Sequence, residues 1–331
     1  MIKQTLVGQK GSKSIYYYKF TNATGSNMTV TNYGATIVSI MMPDRNDNLG
    51  DVVFSLSSIE EYMENTGYLG STVGRVASRI KEGIVEINDI KYDLQRNEGR
   101  NHLHGGIEGF DKKVWDSEIK NEKLILKYHS PDGEEGYPGI LDVRVTFELT
   151  DMNEIDIHYV AVSDSDTVVN MTNHSYFNLN GRRLDVKDSM LNVYADHYTP
   201  VGVDLIPTGE ILSVGDTPLD FRLPRRIGEC QNHKVLDFTN GYDHNFVLNG
   251  EGMRKCAELY DERAGRRLIV YTDQPCMQVY TAQNLGSSTQ YAAICLETQL
   301  FPDAMNHDTY PSYILEKGKE YMHNTKYSFS K

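Results

Sequence analysis

The chain has 331 residues, 39% of them apolar, and a formal net charge of -13. That length and composition suffice for a large core without disulfides, metals or partners. The negative charge and the lack of any Lys/Arg-rich run argue against nucleic acid as a partner, because phosphate affinity is driven by cationic side chains that release counterions.

Met1 to Val7 lack the apolar run and small-residue cleavage site of a secretory leader, and no stretch approaches membrane-spanning length. A cytoplasmic protein without membrane association is the expectation. Ser57 and Glu60 have capping-box spacing and predict a short helix starting there. In Gly74-Arg75-Val76-Ala77-Ser78-Arg79-Ile80 the two arginines are either a surface pair bridging acidic residues or one donor aimed into a site. Ile84 to Ile87 and Ile90 to Leu94 flank Asn88-Asp89, two residue types that tolerate positive φ, which predicts a hairpin with a tight turn.

Asn101-His102-Leu103-His104-Gly105-Gly106 sets two imidazoles beside a glycine pair. A metal site would need a third ligand at a recognisable spacing, and no H-E-x-x-H or Cys/His cluster accompanies them, so no metal is expected. One of the two histidines is expected to hydrogen-bond a substrate, and the choice falls on His104. Extended backbone would point both the same way, which the glycines leave open.

Lys123 to Tyr128, Glu154 to Tyr159 and Arg267 to Tyr271 are rich in β-branched and aromatic residues, the last two following turn signals at Asp151-Met152-Asn153 and Ala264-Gly265. His174 follows an apolar strand and precedes Tyr176-Phe177, which implies a buried or cleft-lining imidazole, either satisfied in the core or catalytic. Cys230, Cys256, Cys276 and Cys295 are widely spaced without a C-x-x-C pair and are expected as reduced, mostly buried thiols. Asp243 caps a turn or accepts hydrogen bonds from adjacent sugar hydroxyls. Glu297 ends the apolar run Ala292-Ala293-Ile294-Cys295-Leu296, as a structural ion pair or as a general base whose pKa is raised by desolvation.

Short strands at close intervals, without intervening helical patterns, favour two packed antiparallel sheets. The expected fold is all-β, a large antiparallel β-sandwich with a few short helices, in one domain over 1–331. No glycine-rich phosphate loop precedes a helix, so nucleotide chemistry has no support.

Taken together the motifs resemble the aldose 1-epimerase, or galactose mutarotase, family over nearly the whole chain. The resemblance rests on Asn32 to Ala35, Gly70 to Ile80, Asn101 to Gly106, Phe110 to Trp115 and Asp132 to Gly139. It continues in family order through Thr172 to Leu179, Tyr198 to Val201, Ile206 to Glu210, Tyr242 to His244 and Leu296 to Asp303. It implies an antiparallel supersandwich with an open cleft, Glu297 as general base and His174 as general acid. It also implies that Arg75, His104, Asp243 and Gln278 hold sugar hydroxyls, Gln278 through Met277-Gln278-Val279-Tyr280-Thr281. Ser78 departs from the family's usual asparagine between the two arginines, and Leu300 from a common histidine; the first would alter sugar preference.

Such an enzyme would interconvert α and β anomers of free hexoses such as D-galactose and D-glucose. The C1 hydroxyl must lose a proton while the ring oxygen gains one, so one acid and one base suffice and no cofactor is expected. A monosaccharide is the expected partner, with the protein a monomer or homodimer. Three alternatives stay open. One is a silent carbohydrate-binding protein using the same cleft, and another is a glycoside hydrolase pairing Glu297 with Asp243 or Asp303. The third is a sugar-phosphate mutarotase drawing on Arg222, Arg225 and Arg226. Trp115 fits either a core or a sugar platform.

Overall fold

Strands form wherever the sequence alternates apolar and polar residues, because period two puts one set of side chains on the buried face. In Lys123–Ser130, Leu124 and Leu126 are fully buried while Lys127 is exposed. The computed structural model describes residues 1–181, 185–237, 239–283 and 291–331. Among these, a nine-stranded antiparallel sheet is centred on Leu141–Leu149, Glu154–Ser163, Glu320–Ser330 and Arg267–Thr272. A five-stranded sheet holds the N-terminal strands from Ile2–Lys10 to Leu49–Asp51. A six-stranded sheet runs in the order Tyr176–Phe177, Ile294–Gln299, Cys276–Tyr280, Asp243–Val247, His197–Thr199, Leu212–Ser213.

One apolar cluster draws on all three sheets, from Tyr18 to Phe329. Phe177 of the six-stranded sheet meets Tyr327 of the nine-stranded sheet edge-on, with ring centroids 5.0 Å apart. Each such ring or aliphatic side chain removed from water contributes about 1.5–3 kcal/mol. The β-sandwich expected from the strand pattern is thus observed, with the sheets antiparallel throughout. Trp115 is core: it is buried, packs edge-on to Phe110, and its indole N–H donates to the Phe110 carbonyl at 3.2 Å. The four cysteines are free thiols, three of them buried.

The local signals held where turn chemistry was explicit. Asn88 and Asp89 adopt φ of 52° and 64°, and Ile87 pairs with Ile90, the geometry of a two-residue turn with both central residues left-handed. The helix begins one position later than its predicted cap. It spans Ile59–Glu64 with Ser58 as N-cap accepting from the Glu61 N–H, while the Glu61 carboxylate accepts from the Ser57 N–H at 2.8 Å. This phase buries Ile59 and Tyr62 on one face, and packing of that pair decides between two adjacent serines.

Candidate active site

A cleft of about 670 Å³, within the range of small-molecule sites, lies over one face of the six-stranded sheet. Alternation aims the floor: in Ile294–Gln299, Leu296 turns to the core while Glu297 lines the cleft. Gln278 is its direct cross-strand partner. Asp243, on the next strand, lies diagonal to Gln278 on the same face, and the Gln278 amide donates to its Oδ1 at 2.6 Å. Burial raises the Asp243 carboxyl above its ordinary range, opposed by the Arg79 cation and that amide.

His174 stands beside Glu297, Nε2 to Oε1 at 3.6 Å, both side chains almost wholly buried. Its backbone is pinned on both sides, the N–H donating to Ser71 and the carbonyl accepting from Gly70, each at 2.9 Å. The ring stacks on Tyr176 with centroids 4.9 Å apart and planes 21° from parallel, and Tyr68 covers the other side at 6.1 Å. Nδ1 has no hydrogen-bond partner among the described residues. Burial pushes the imidazole down to about 4. Burial, seconded by Asp243, pushes Glu297 well above the carboxylate range, with Arg79 opposing. Both groups therefore favour their neutral forms, and between their two titrations the couple holds a single proton that either member can carry across 3.6 Å.

The two histidines of the H-x-H motif part company. The strand His102–Leu103 ends before His104, whose φ is 52°. His102 is buried as a structural residue, Nδ1 donating to the Gln95 carbonyl at 2.6 Å and Nε2 accepting from the Tyr137 hydroxyl at 2.5 Å. His104 faces the cleft, and its Nδ1 accepts from the Ser78 N–H at 3.1 Å. That bond keeps Nδ1 unprotonated and puts the ring proton on Nε2, so His104 is a neutral donor; burial holds its pKa far below the usual value. His104, His174 and Glu297 place potential ligand atoms within 4.8 Å of one another, the donor set a divalent cation would use. The His104 tautomer opposes that use, since one nitrogen has committed its lone pair and the other carries a proton.

Arg75 requires correction as a sugar-binding residue. Its guanidinium is buried away from the cleft, donating to Ser130 Oγ and O, Pro131 O, Pro138 O and Thr167 Oγ1. Arg79 lines the cleft instead, held by Glu98 through Nε at 2.7 Å and Nη2 at 2.8 Å. Ser78, with φ of 64°, turns the chain between them, so arginines four apart do not share a face. The wall around Arg79 includes Leu103 of the H-x-H motif together with Tyr68 and Glu98, which lie outside every motif. A glutamate in the polar run Arg96-Asn97-Glu98-Gly99 carries no signal that separates it from a solvated turn.

The remaining candidates lie elsewhere. Asp303 is buried, accepting from the Lys81 N–H and the Asn306 amide beside His307. Arg222 pairs with Asp220 and Asp196, Arg225 donates to the Pro218 carbonyl, and Arg226 pairs with Asp188 and Glu262. None of these lines the cleft.

A family model described as aldose 1-epimerase matches residues 16–328. The chain is 40% identical to galactose mutarotase of Bos taurus, over 91% of this chain and 90% of that protein. It is 34% identical to aldose 1-epimerase of Haemophilus influenzae, over 99% of this chain and 100% of that protein. The crystal structure of galactose 1-epimerase from Lactobacillus acidophilus superposes with a TM-score of 0.90 at 31% identity, covering 100% of this chain and 98% of that one.

Proposed function

The chain belongs to the aldose 1-epimerase family, and we propose that it interconverts the α and β anomers of free hexoses such as D-galactose and D-glucose, with Glu297 and His174 as the proton-transfer couple. The observation that carries this reading is the buried carboxylate–imidazole pair at 3.6 Å on the cleft floor.

In its ion-pair form the couple has Glu297 as carboxylate and His174 as imidazolium. Glu297 takes the proton from the C1 hydroxyl as His174 delivers one to the ring oxygen. The C1–O5 electron pair moves to O5, a C1 oxygen lone pair becomes the second bond of the aldehyde, and the ring opens. After rotation about C1–C2, O5 attacks the opposite face of C1. His174 recovers its proton and Glu297 returns the other to the C1 oxygen, so the inventory closes without any external reagent. Each member acts in turn as acid and base. Around them His104 Nε2–H and the unspent N–H groups of Arg79 offer donors, and Asp243 offers an acceptor, which is what orienting a polyhydroxylated ring requires.

The lining favours a neutral sugar over a phosphorylated one. Arg79 is the one Lys or Arg among the described lining residues and is already paired with Glu98, while Glu61 and Glu64 add negative charge at the rim. It also favours anomer exchange over glycoside hydrolysis. The group poised beside Glu297 is the His174 imidazole at 3.6 Å, whereas hydrolysis calls for a second carboxyl as proton donor.

Polarimetry of freshly dissolved α-D-galactose and α-D-glucose, with chelator present throughout, tests the proposal. Wild type should speed the decay, and Glu297→Gln and His174→Asn should each lose roughly a hundred- to ten-thousand-fold. Activity that survives in both variants removes the couple from the mechanism, and a wild type no faster than buffer removes the activity.

A further inference from the structure

We propose that Glu98 is a positioning residue for the sugar-binding face of the cleft: it grips one edge of the Arg79 guanidinium and leaves the other edge free for substrate. This rests on the anomer-exchange reading above. A guanidinium has five N–H donors. Two of them are spent on Glu98, through Nε to Oε2 and Nη2 to Oε1, and among the described residues no other hydrogen-bond acceptor takes the Arg79 side chain.

The segment that carries Glu98 is built to hold it. Glu98 and Asn101 exchange backbone hydrogen bonds at 3.2 and 2.9 Å. The Asn97 amide donates to the carbonyls of Leu103 at 2.9 Å and Gly106 at 3.0 Å and accepts from the Leu103 N–H at 2.7 Å. The turn bearing Glu98 is thereby tied to the turn bearing His104, so that both donors to the sugar are set by one piece of backbone. The ion pair is asymmetric, Arg79 10% exposed and Glu98 37% exposed, so Glu98 meets the nearly buried guanidinium from the solvent side and holds it through two parallel hydrogen bonds. Its reach into the cleft is electrostatic. The ionisable groups that sense the Arg79 cation are Asp243 and Glu297, which it favours as anions, with Tyr68 and neutral His104 alongside. The Glu98 charge opposes ionisation of Asp243.

Glu98→Ala and Glu98→Gln, each checked by thermal melting, separate positioning from mere support. Glu98→Ala should raise KM for galactose about 10- to 100-fold, the scale of a charge-assisted hydrogen bond, with kcat nearly unchanged. Glu98→Gln should recover most of that KM, because the amide oxygen still accepts one guanidinium N–H. In it the ¹³C resonance of the Asp243 carboxyl should titrate at lower pH than in wild type, since the cation is no longer compensated. A KM in Glu98→Ala within about twofold of wild type, an unmoved Asp243 titration in Glu98→Gln, or unfolding of both variants overturns the proposal. The carboxyl titration needs no turnover, so it decides the role of Glu98 even where polarimetry of wild type has rejected the anomerase reading.

Discussion

Glu297, Gln278 and Asp243 come from adjacent strands of one large, continuously paired sheet, whereas Arg79 opens a two-residue strand directly after the left-handed Ser78, and His104 and Tyr68 themselves sit at left-handed turn positions. On the strand side, cross-strand pairing alone places the carboxylates, and a side chain can be exchanged without disturbing the register that positions it. On the turn side each group is placed by a specific bond: the Ser78 N–H to His104, Glu98 to Arg79, the Asn97 amide to the backbone of Leu103 and Gly106. The proposed base Glu297 and the acceptor Asp243 thus sit on the sheet, His174 sits in the short link between Thr172–Asn173 and Tyr176–Phe177, and the donors proposed for the sugar sit beside left-handed turns, where small changes in backbone alter what is recognised.

The largest expected contrast lies between the two arginines. Arg75→Met strips the partner from the buried carbonyls of Ser130 and Pro138, at about 1–3 kcal/mol each, and from the part-buried carbonyl of Pro131, together a large share of a typical folding free energy. The expected outcome is loss of soluble, cooperatively melting protein. Arg79→Met should fold and melt near wild type yet raise KM about 10- to 100-fold. Melting curves and polarimetry on both variants check this. If Arg75→Met is well folded and impaired only in sugar binding, the division between a structural and a functional arginine is wrong.

That pair also shows where the sequence stops being readable. Strand residues were legible because period two is a consequence of extended geometry, so Glu297 at the end of an apolar run could only face the core or a cleft. Asn88-Asp89 was legible because few residue types accept two left-handed positions in succession. The family motifs brought His174, His104, Asp243, Gln278 and Glu297 together, and the structure gathers all five around one cleft. Arg75 and Arg79 were not separable, because the reversal between them depends on the left-handed backbone of Ser78, a residue type that gives no warning of it. His102 and His104 looked alike for the same reason, the strand ending between them. Ser57 and Ser58 are equivalent as caps, and burial of Ile59 and Tyr62 chose the second.

The two walls should also pull the pH dependence of the reaction in opposite directions. Below about pH 4 His174 gains a second proton for the couple while Glu297, raised by burial, still holds the first, so no acceptor remains. Above the raised Glu297 value the shared proton is lost and no donor remains. Between these limits kcat/KM should be flat, and outside them it should fall about tenfold per pH unit. Asp243 on the sheet raises Glu297 and Arg79 on the turns lowers it. Asp243→Asn should therefore move the alkaline limb down in pH and Arg79→Met should move it up. Buffer-corrected polarimetric pH–rate profiles of the two variants against wild type would reveal limbs that shift together, which is the result that rejects this electrostatic opposition.

The smallest expected effect lies at Ser78, where the turn wall itself can be adjusted. Ser78 holds φ at 64° with its side chain on the cleft, and its N–H fixes the tautomer of His104. Asparagine accepts left-handed backbone more readily than serine, so Ser78→Asn should keep the turn and the N–H to His104 while adding an amide that reaches further towards the sugar. Melting should be unchanged or slightly higher. The galactose-to-glucose ratio of kcat/KM should move by a few-fold, about what one exposed hydrogen bond contributes. A ratio that stays at the wild-type value in Ser78→Asn, with both rates intact, would mean that this position serves only to turn the chain and that discrimination between the two sugars resides on the strand side, at Asp243 and Gln278.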